Sequence, residues 1–213
     1  MKSKTNGAAF ELLFKRVLKA FFSFLFFAAF LASTAAVFIP DYAMAARPLM
    51  GDPNAPHEGS VAPAICVLEP GGLKEVLISF DKPAKDGPGA PALVWFWFMS
   101  CENCVKDMKF MREIHKKYKS RLSLIAVNVD KPDRRGTVKN FIKNNGISGY
   151  ENYYDKITEH VFSADYDASD KFAIYSTPAL FIIDKNGKII LRAEGHINFD
   201  LVEQKLETVV KSE

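Results

Sequence analysis

Cysteine is scarce in this chain: 213 residues hold only Cys66, Cys101 and Cys104. Four scattered histidines and the absence of a second C-x-x-C or any H-x-x-x-H leave too few partners for a structural zinc site, which needs about four ligands. Covalent haem attachment requires a histidine after the second cysteine, and Val105 stands there. No internal repeat is visible. Outside the N-terminus a basic surplus is also missing. The net charge of +3 comes from residues 1–45, where Lys2, Lys4, Lys15, Arg16 and Lys19 face only Glu11 and Asp41. The remainder is formally neutral, so no nucleic-acid or other polyanion-binding role is indicated.

What the N-terminus has in excess is apolar length. Ala20 to Ile39 is interrupted only by Ser23, Ser33 and Thr34, and the basic flank precedes it. That run is long enough to span a bilayer, which takes about 20 residues, and exceeds a signal-peptide core of about 7–15. Pro40-Asp41 breaks the helix, and Ala43-Met44-Ala45 offers the small residues a signal peptidase reads. Residues 1–45 are therefore a signal peptide cleaved after Ala45, or a membrane anchor through residues 20–39. Either one exports the rest of the chain to the periplasm or another extracytoplasmic space, with the membrane touched only through this segment if it is uncleaved. Residues 46–60, rich in Pro, Gly, Asp and Asn, are expected to be a flexible linker that packs little, and residues 61–213 a folded domain.

The chemistry concentrates at Cys101-Glu102-Asn103-Cys104, directly after the apolar run Ala92 to Met99. A buried strand that empties into a C-x-x-C at a helix start places the first sulfur beside unpaired backbone N–H groups and the positive end of the helix dipole. Cys101 is thus the expected nucleophile. Cys104, three residues on along the same helix face, can attack a mixed disulfide on Cys101 and release the substrate. In an oxidising compartment the pair closes into a disulfide unless a dedicated donor keeps it reduced. Cys66, within the short apolar run Ile65 to Leu68, is expected to be a small buried hydrophobe.

Around this motif the pattern predicts a hairpin (Ile65–Leu68, Val76–Phe80), a buried strand (Leu93–Phe98) and a helix over residues 102–119. That helix carries Val105, Met108, Met111, Ile114 and Tyr118 on its apolar stripe. A second buried strand spans Leu122–Val129, and Thr137 is the expected N-cap of a short helix ended by Gly146. Ala179–Ile183 and Ile189–Ala193 read as strands joined by an Asn-Gly turn, followed by a last helix with Leu201, Val202, Leu206, Val209 and Val210 facing inward. The βαβ start forces parallel pairing, so the sheet is mixed, with helices on both faces.

These residues resemble the thioredoxin superfamily, and within it the exported TlpA/ResA-like thiol-disulfide oxidoreductases. The resemblance rests on Leu93 to Phe98 leading into the C-x-x-C, Ala126 to Asp130, Ser176-Thr177-Pro178 before the apolar run Ala179 to Ile183, and Asp184-Lys185-Asn186-Gly187. It implies a thioredoxin-like α/β fold, a central mixed β-sheet flanked by helices with an N-terminal β-hairpin extension. It also implies a cis Thr177-Pro178 bond facing the dithiol, with Thr177 and Pro178 lining the substrate groove. No cofactor beyond a redox-active Cys101–Cys104 disulfide and no metal are implied. The implied partners are disulfide-containing substrate proteins, apocytochrome c in cytochrome c maturation among them, and a membrane electron donor.

The sequence departs from the superfamily at informative places. Ser100 stands where Trp is usual before the first cysteine, Asn103 where Pro is frequent, and Trp95 where thioredoxin has a buried acid. Proton transfer then falls to Glu102, another carboxylate or water. Glu102 opposes thiolate formation and no basic residue lies between the cysteines, so a Cys101 pKa nearer thioredoxin's roughly 7 than DsbA's roughly 3.5 is expected, which leans toward a reductant. An oxidant or isomerase, a non-enzymatic binding module and a copper-handling module are the alternatives. Thioredoxin-fold peroxidases place Thr three residues before the reactive cysteine, and Phe98 is there. Ile147 to His160 looks like extra length, either a packed insertion burying its aromatics or a partner-binding lip at Tyr150, Tyr153 and Tyr154. The four histidines read as surface or local structure.

Overall fold

The computed structural model describes residues 55–71, 74–80, 90–159 and 163–211. The expected signal or anchor segment, the first part of the linker, most of the loop from Pro83 to Pro91, and His160 lie outside the described residues. No helix among the described residues is long and apolar enough to cross a membrane.

A seven-stranded mixed sheet forms the centre. Its strands are β1 (Ile65–Leu68), β2 (Glu75–Ile78), β3 (Ala92–Trp97), β4 (Ser123–Asn128), β5 (Glu151–Asp155), β8 (Ala179–Ile183) and β9 (Ile189–Glu194), in spatial order β2-β1-β5-β4-β3-β8-β9. Strands β3, β4 and β5 are parallel, while β1 on β5 and the β8–β9 hairpin on β3 are antiparallel. A separate ribbon pairs β6 (Ile157–Glu159) with β7 (Ala164–Tyr166). The helices are α1 (Glu102–Tyr118), α2 (Arg135–Asn144), α3 (Asp167–Lys171) and α4 (Phe199–Lys211).

Strand β3 is fully buried because both of its faces are covered. Its period of two sends Leu93, Trp95 and Trp97 to the layer beneath α1, α2 and α4, where the two indoles stack 5.6 Å apart. Val94 and Phe96 point to the other layer, where Phe96, Phe172 and Phe181 pack with ring centroids 4.6–6.0 Å apart. Ala126 lies opposite Trp95 in the β3–β4 register, and its small side chain makes room for the indole. Each such fully buried side chain contributes about 1.5–3 kcal/mol of transfer free energy.

Several expectations need correction. The stretch from Ile147 buries Tyr150 and Tyr154, as the packed reading expects, but it is not extra length: its core is β5, a sheet strand between β1 and β4. Strand β5 is polar in sequence, yet its buried Asn152 donates to the Ile147 and Tyr150 carbonyls. Asp155 accepts from the Ala168 and Ser169 amides, so α3 docks on it. Helix α2 starts at Arg135, two residues before Thr137, because a 3-10 turn over Pro132–Arg134 runs straight into it. Val105 and Leu201 are exposed rather than inward. On α1 the buried face instead runs through Cys104, Asp107, Met108, Met111, Ile114 and Tyr118. Cys66 is only half-buried, with its sulfur 3.5 Å from Glu75 Oε2.

The end of the linker is bound to the sheet. Gly59 N–H donates to the Ile189 carbonyl, Ile189 N–H to the Ser60 carbonyl and Ala62 N–H to the Gly187 carbonyl, so this segment runs antiparallel along the edge of β9. Arg192 Nη1 reaches the Pro56 carbonyl at 2.6 Å. The chain is thus tied to the sheet before the first strand, through one isolated bridge at Val61–Lys188 and the bonds flanking it.

Candidate active site

The site forms where β3 ends and α1 begins, at the carboxyl end of the parallel strands, the position where open α/β sheets gather their chemistry. Cys101 is the N-cap of α1: its backbone is extended (φ −82°, ψ 105°) and its Sγ accepts the Cys104 N–H at 3.1 Å. The sulfur therefore takes the place a capping oxygen would hold, against the first unpaired amides of a 17-residue helix. Cys101 and Cys104 are joined by a disulfide and both are buried.

The approach to the motif is fixed from β4. Buried Asp130 accepts the Met99 N–H at 2.7 Å and the Asn128 side-chain amide at 2.9 Å through Oδ2, and Arg134 lies 3.5 Å from its Oδ1. Opposite, Thr177-Pro178 is a cis peptide at the start of β8, and the Pro178 carbonyl accepts the Gly195 N–H. Asn103, between the two cysteines, contacts the Gly195 carbonyl at 3.5 Å. The chain entering the dithiol is thus held by Asp130, while Asn103 and the cis-Pro loop meet at Gly195. A groove of about 450 Å³ opens beside them, lined by Phe98, Val129, Tyr166, Ile174, Tyr175 and Thr177.

The carboxylates divide. Glu102 is exposed and paired with Lys106 at 2.7 Å, and the Lys106 ammonium holds its carboxyl below the ordinary range. It carries no proton near neutrality. Asp107, one turn beyond Cys104 on the buried face of α1, has an Oδ2 with no hydrogen-bond partner among the described residues. Burial pushes its carboxyl up to about 6, with His196 acting in the opposite direction. Helical spacing from Cys104, Met108 and Met111 places position 107 on the buried face, but an acid there reads in sequence as a surface residue. Trp95 is fully buried, and its indole N–H has no partner among the described residues.

The AhpC/TSA family profile matches residues 77–192, more than half of the chain, and spans the dithiol, Asp107, Asp130 and the cis-Pro loop. The chain belongs to the AhpC/TSA family. Among its relatives is the thiol-disulfide oxidoreductase ResA of Bacillus thuringiensis subsp. konkukian, 28% identical over 152 residues, covering 71% of this chain and 78% of the relative. ResA of Bacillus subtilis is 26% identical over 157 residues, covering 73% and 78%. The thioredoxin domain of a thiol-disulfide oxidoreductase from Bacteroides vulgatus superposes with a TM-score of 0.55 at 23% identity, covering 72% of this chain and 98% of that one. That likeness establishes the thioredoxin-like fold.

With these relatives and its own cross-linked C-x-x-C, this AhpC/TSA member is a redox enzyme of the thiol-disulfide oxidoreductase class. Half-buried Phe98 occupies the position three residues before Cys101, so the hydroxyl that a thioredoxin-fold peroxidase presents there is replaced by an apolar ring lining the groove. Among the described residues no group of three or more His, Cys, Asp or Glu converges as a metal site. His57 and His196 are exposed, and His115 packs against the Tyr150 ring at 5.0 Å.

Proposed function

We propose that this chain is an exported thiol-disulfide oxidoreductase that reduces disulfides in specific partner proteins. In this reading residues 1–45 act as the export signal or anchor, and a membrane donor restores the dithiol. The observation that carries the proposal is the Cys101 sulfur capping α1 beside a cis-Pro loop and an open groove.

The Cys101 thiolate, stabilised by the α1 amides, attacks one sulfur of a partner disulfide. A mixed disulfide forms and the partner's other sulfur leaves as a thiolate. Cys104 then loses its proton and attacks Cys101 Sγ, which releases the second partner sulfur and closes the Cys101–Cys104 disulfide. Two electrons pass to the partner. Asp107, ionised above its shifted pKa of about 6 and one helical turn from Cys104, is the carboxylate suited to accept that proton. Exposed, ion-paired Glu102 is not. Thr177 offers the partner chain its backbone, Pro178 shapes the groove edge, and the groove lined by Phe98 and Tyr175 accepts apolar side chains flanking the partner's cysteine. A partner thiol pair destined for a metal or haem site, such as that of apocytochrome c, is the proposed substrate class.

A Cys104→Ser variant tests this directly: it should accumulate covalent, dithiothreitol-sensitive adducts through Cys101, lost again in Cys101→Ser/Cys104→Ser. A folded Cys104→Ser protein that traps nothing would remove the proposal. A redox potential near DsbA's value of about −120 mV, in place of one near thioredoxin's about −270 mV, would reverse the direction of electron flow.

A further inference from the structure

The segment joining α3 to the cis-Pro bond, Phe172 to Thr177, forms no strand or helix, yet it walls the groove. The amides of Phe172, Ala173 and Ile174 bond back to the Ala168, Asp170 and Ser169 carbonyls, and the stretch beyond them is held by one ion pair on the neighbouring strand β9. Glu194 Oε2 accepts the consecutive amides of Tyr175 (2.9 Å) and Ser176 (3.2 Å), the two residues before Thr177. Glu194 Oε1 faces Arg192, whose Nε lies 3.0 Å away. The same guanidinium donates to the Ala173 carbonyl at 2.7 Å and to the Pro56 carbonyl at 2.6 Å, and lies 5.5 Å from the centroid of the Phe181 ring. Ala173 has a left-handed φ of +50°, which a non-glycine residue keeps only when its surroundings over-determine it. Both side chains are largely buried, 20% exposed for Arg192 and 16% for Glu194, so these charge-assisted bonds are poorly screened. At the next residue Gly195 N–H bonds the Pro178 carbonyl and Gly195 O faces Asn103.

We propose that Arg192 and Glu194 are positioning residues that hold the segment before Pro178 in the shape that accepts the partner chain. The proposal rests on the oxidoreductase reading. An edge of backbone binds a peptide well only if it is ordered beforehand, since ordering it at the moment of binding costs affinity. The dithiol lies on α1 rather than on this segment, so loosening the pair weakens capture of a protein substrate before it alters the sulfur chemistry.

The experiment uses the folded exported domain with dithiothreitol as electron source, comparing insulin with glutathione disulfide as substrates. Glu194→Ala should raise KM for insulin about tenfold with kcat changed less than about twofold, and Glu194→Gln, which keeps an acceptor oxygen, should fall between. Amide hydrogen exchange at Tyr175 and Ser176 should accelerate in both variants. An unchanged insulin KM in Glu194→Ala would overturn the proposal, as would an equal loss with glutathione disulfide, which would place the defect at the dithiol. If Glu194→Ala does not fold, Arg192→Lys and Glu194→Gln carry the same comparison. A wild-type protein inactive on both substrates, with faster Tyr175 and Ser176 exchange in the variants, would sink the oxidoreductase reading and uphold the positioning role.

Discussion

Cys101 and Cys66 carry the same side chain into opposite surroundings. Cys101 caps α1, where its sulfur accepts the Cys104 amide and faces the positive end of the helix. Cys66 lies on β1, across from exposed Leu77 on β2, with its sulfur against the Glu75 carboxylate and its own amide bonded to Asp167. Burial pushes the Cys66 thiol up, and the Glu75 bond pushes it further, against the opposing pull of Lys156. A helix start offers a sulfur amide hydrogens that favour the anion, whereas a paired sheet strand with two acids nearby offers it none. Reactivity in this chain is set by what the backbone and carboxylates present to the sulfur.

The carboxylates sharpen the same comparison, and the largest effect is expected from them. Asp107→Asn removes the one buried acid a helical turn from Cys104, so turnover of a protein disulfide should fall about a hundredfold. The wild-type rate should rise with pH through about 6, where Asp107 ionises, and that inflection should vanish in the variant. Stopped-flow tryptophan fluorescence suits the measurement, because Trp95 and Trp97 lie in the same buried layer as Cys104. A variant that keeps both the rate and the inflection would move the proton-accepting role to water.

A smaller effect appears in stability, with a defined sign. Asp107 and Asp155 both have folded pKa values of about 6, raised by burial from the ordinary aspartate value of 3.8. Groups of this kind favour the fold when protonated. Their contribution is fully present at low pH and is lost as pH rises through 6. Urea unfolding should therefore show a loss of stability between about pH 4 and pH 7, on the order of 2 kcal/mol from Asp107. Asp107→Asn should remove that share and leave the slope due to Asp155, whose carboxylate accepts the Ala168 and Ser169 amides and the Ser169 hydroxyl. An unchanged slope in Asp107→Asn would show that Asp107 is better solvated than its burial implies.

The same contrast explains how much of the molecule can be read from its residues. Strand β3, the dithiol, α1 and the β8–β9 hairpin are legible because apolar runs, a C-x-x-C and an Asn-Gly turn are local signals, and each local preference agrees with the final fold. Strand β5 is not, because Glu151-Asn152-Tyr153-Tyr154-Asp155 reads as polar loop until Asn152 and Asp155 find carbonyls and amides from other segments. Helix α2 is shifted because a capping threonine competes with the 3-10 turn that Pro132 begins, and the turn prevails. Asp107 and Glu194 escape for different reasons: the first sits on the buried stripe by helical spacing but is an acid, which reads as surface, and the second finds its two amides at sequence separations of 18 and 19, which no local pattern marks. Charged residues that serve the site look, in sequence, like charged residues that face water.

The smallest expected effect sits at the other end of the cysteine comparison. Cys66→Ser should leave turnover within about twofold and change stability by less than about 0.5 kcal/mol, because the residue is half-exposed and its sulfur makes one long contact, to Glu75. In the reduced wild type, iodoacetamide at pH 7 should label Cys101 first and Cys66 slowly, with mass spectrometry resolving the two. Glu75→Gln removes one of the acids that hold the Cys66 thiol up and should quicken its labelling, while Cys101 is unaffected. If Cys66 labelled as fast as Cys101, the helix start would no longer separate the two sulfurs, and the assignment of the nucleophile would have to rest on the trapping experiment alone.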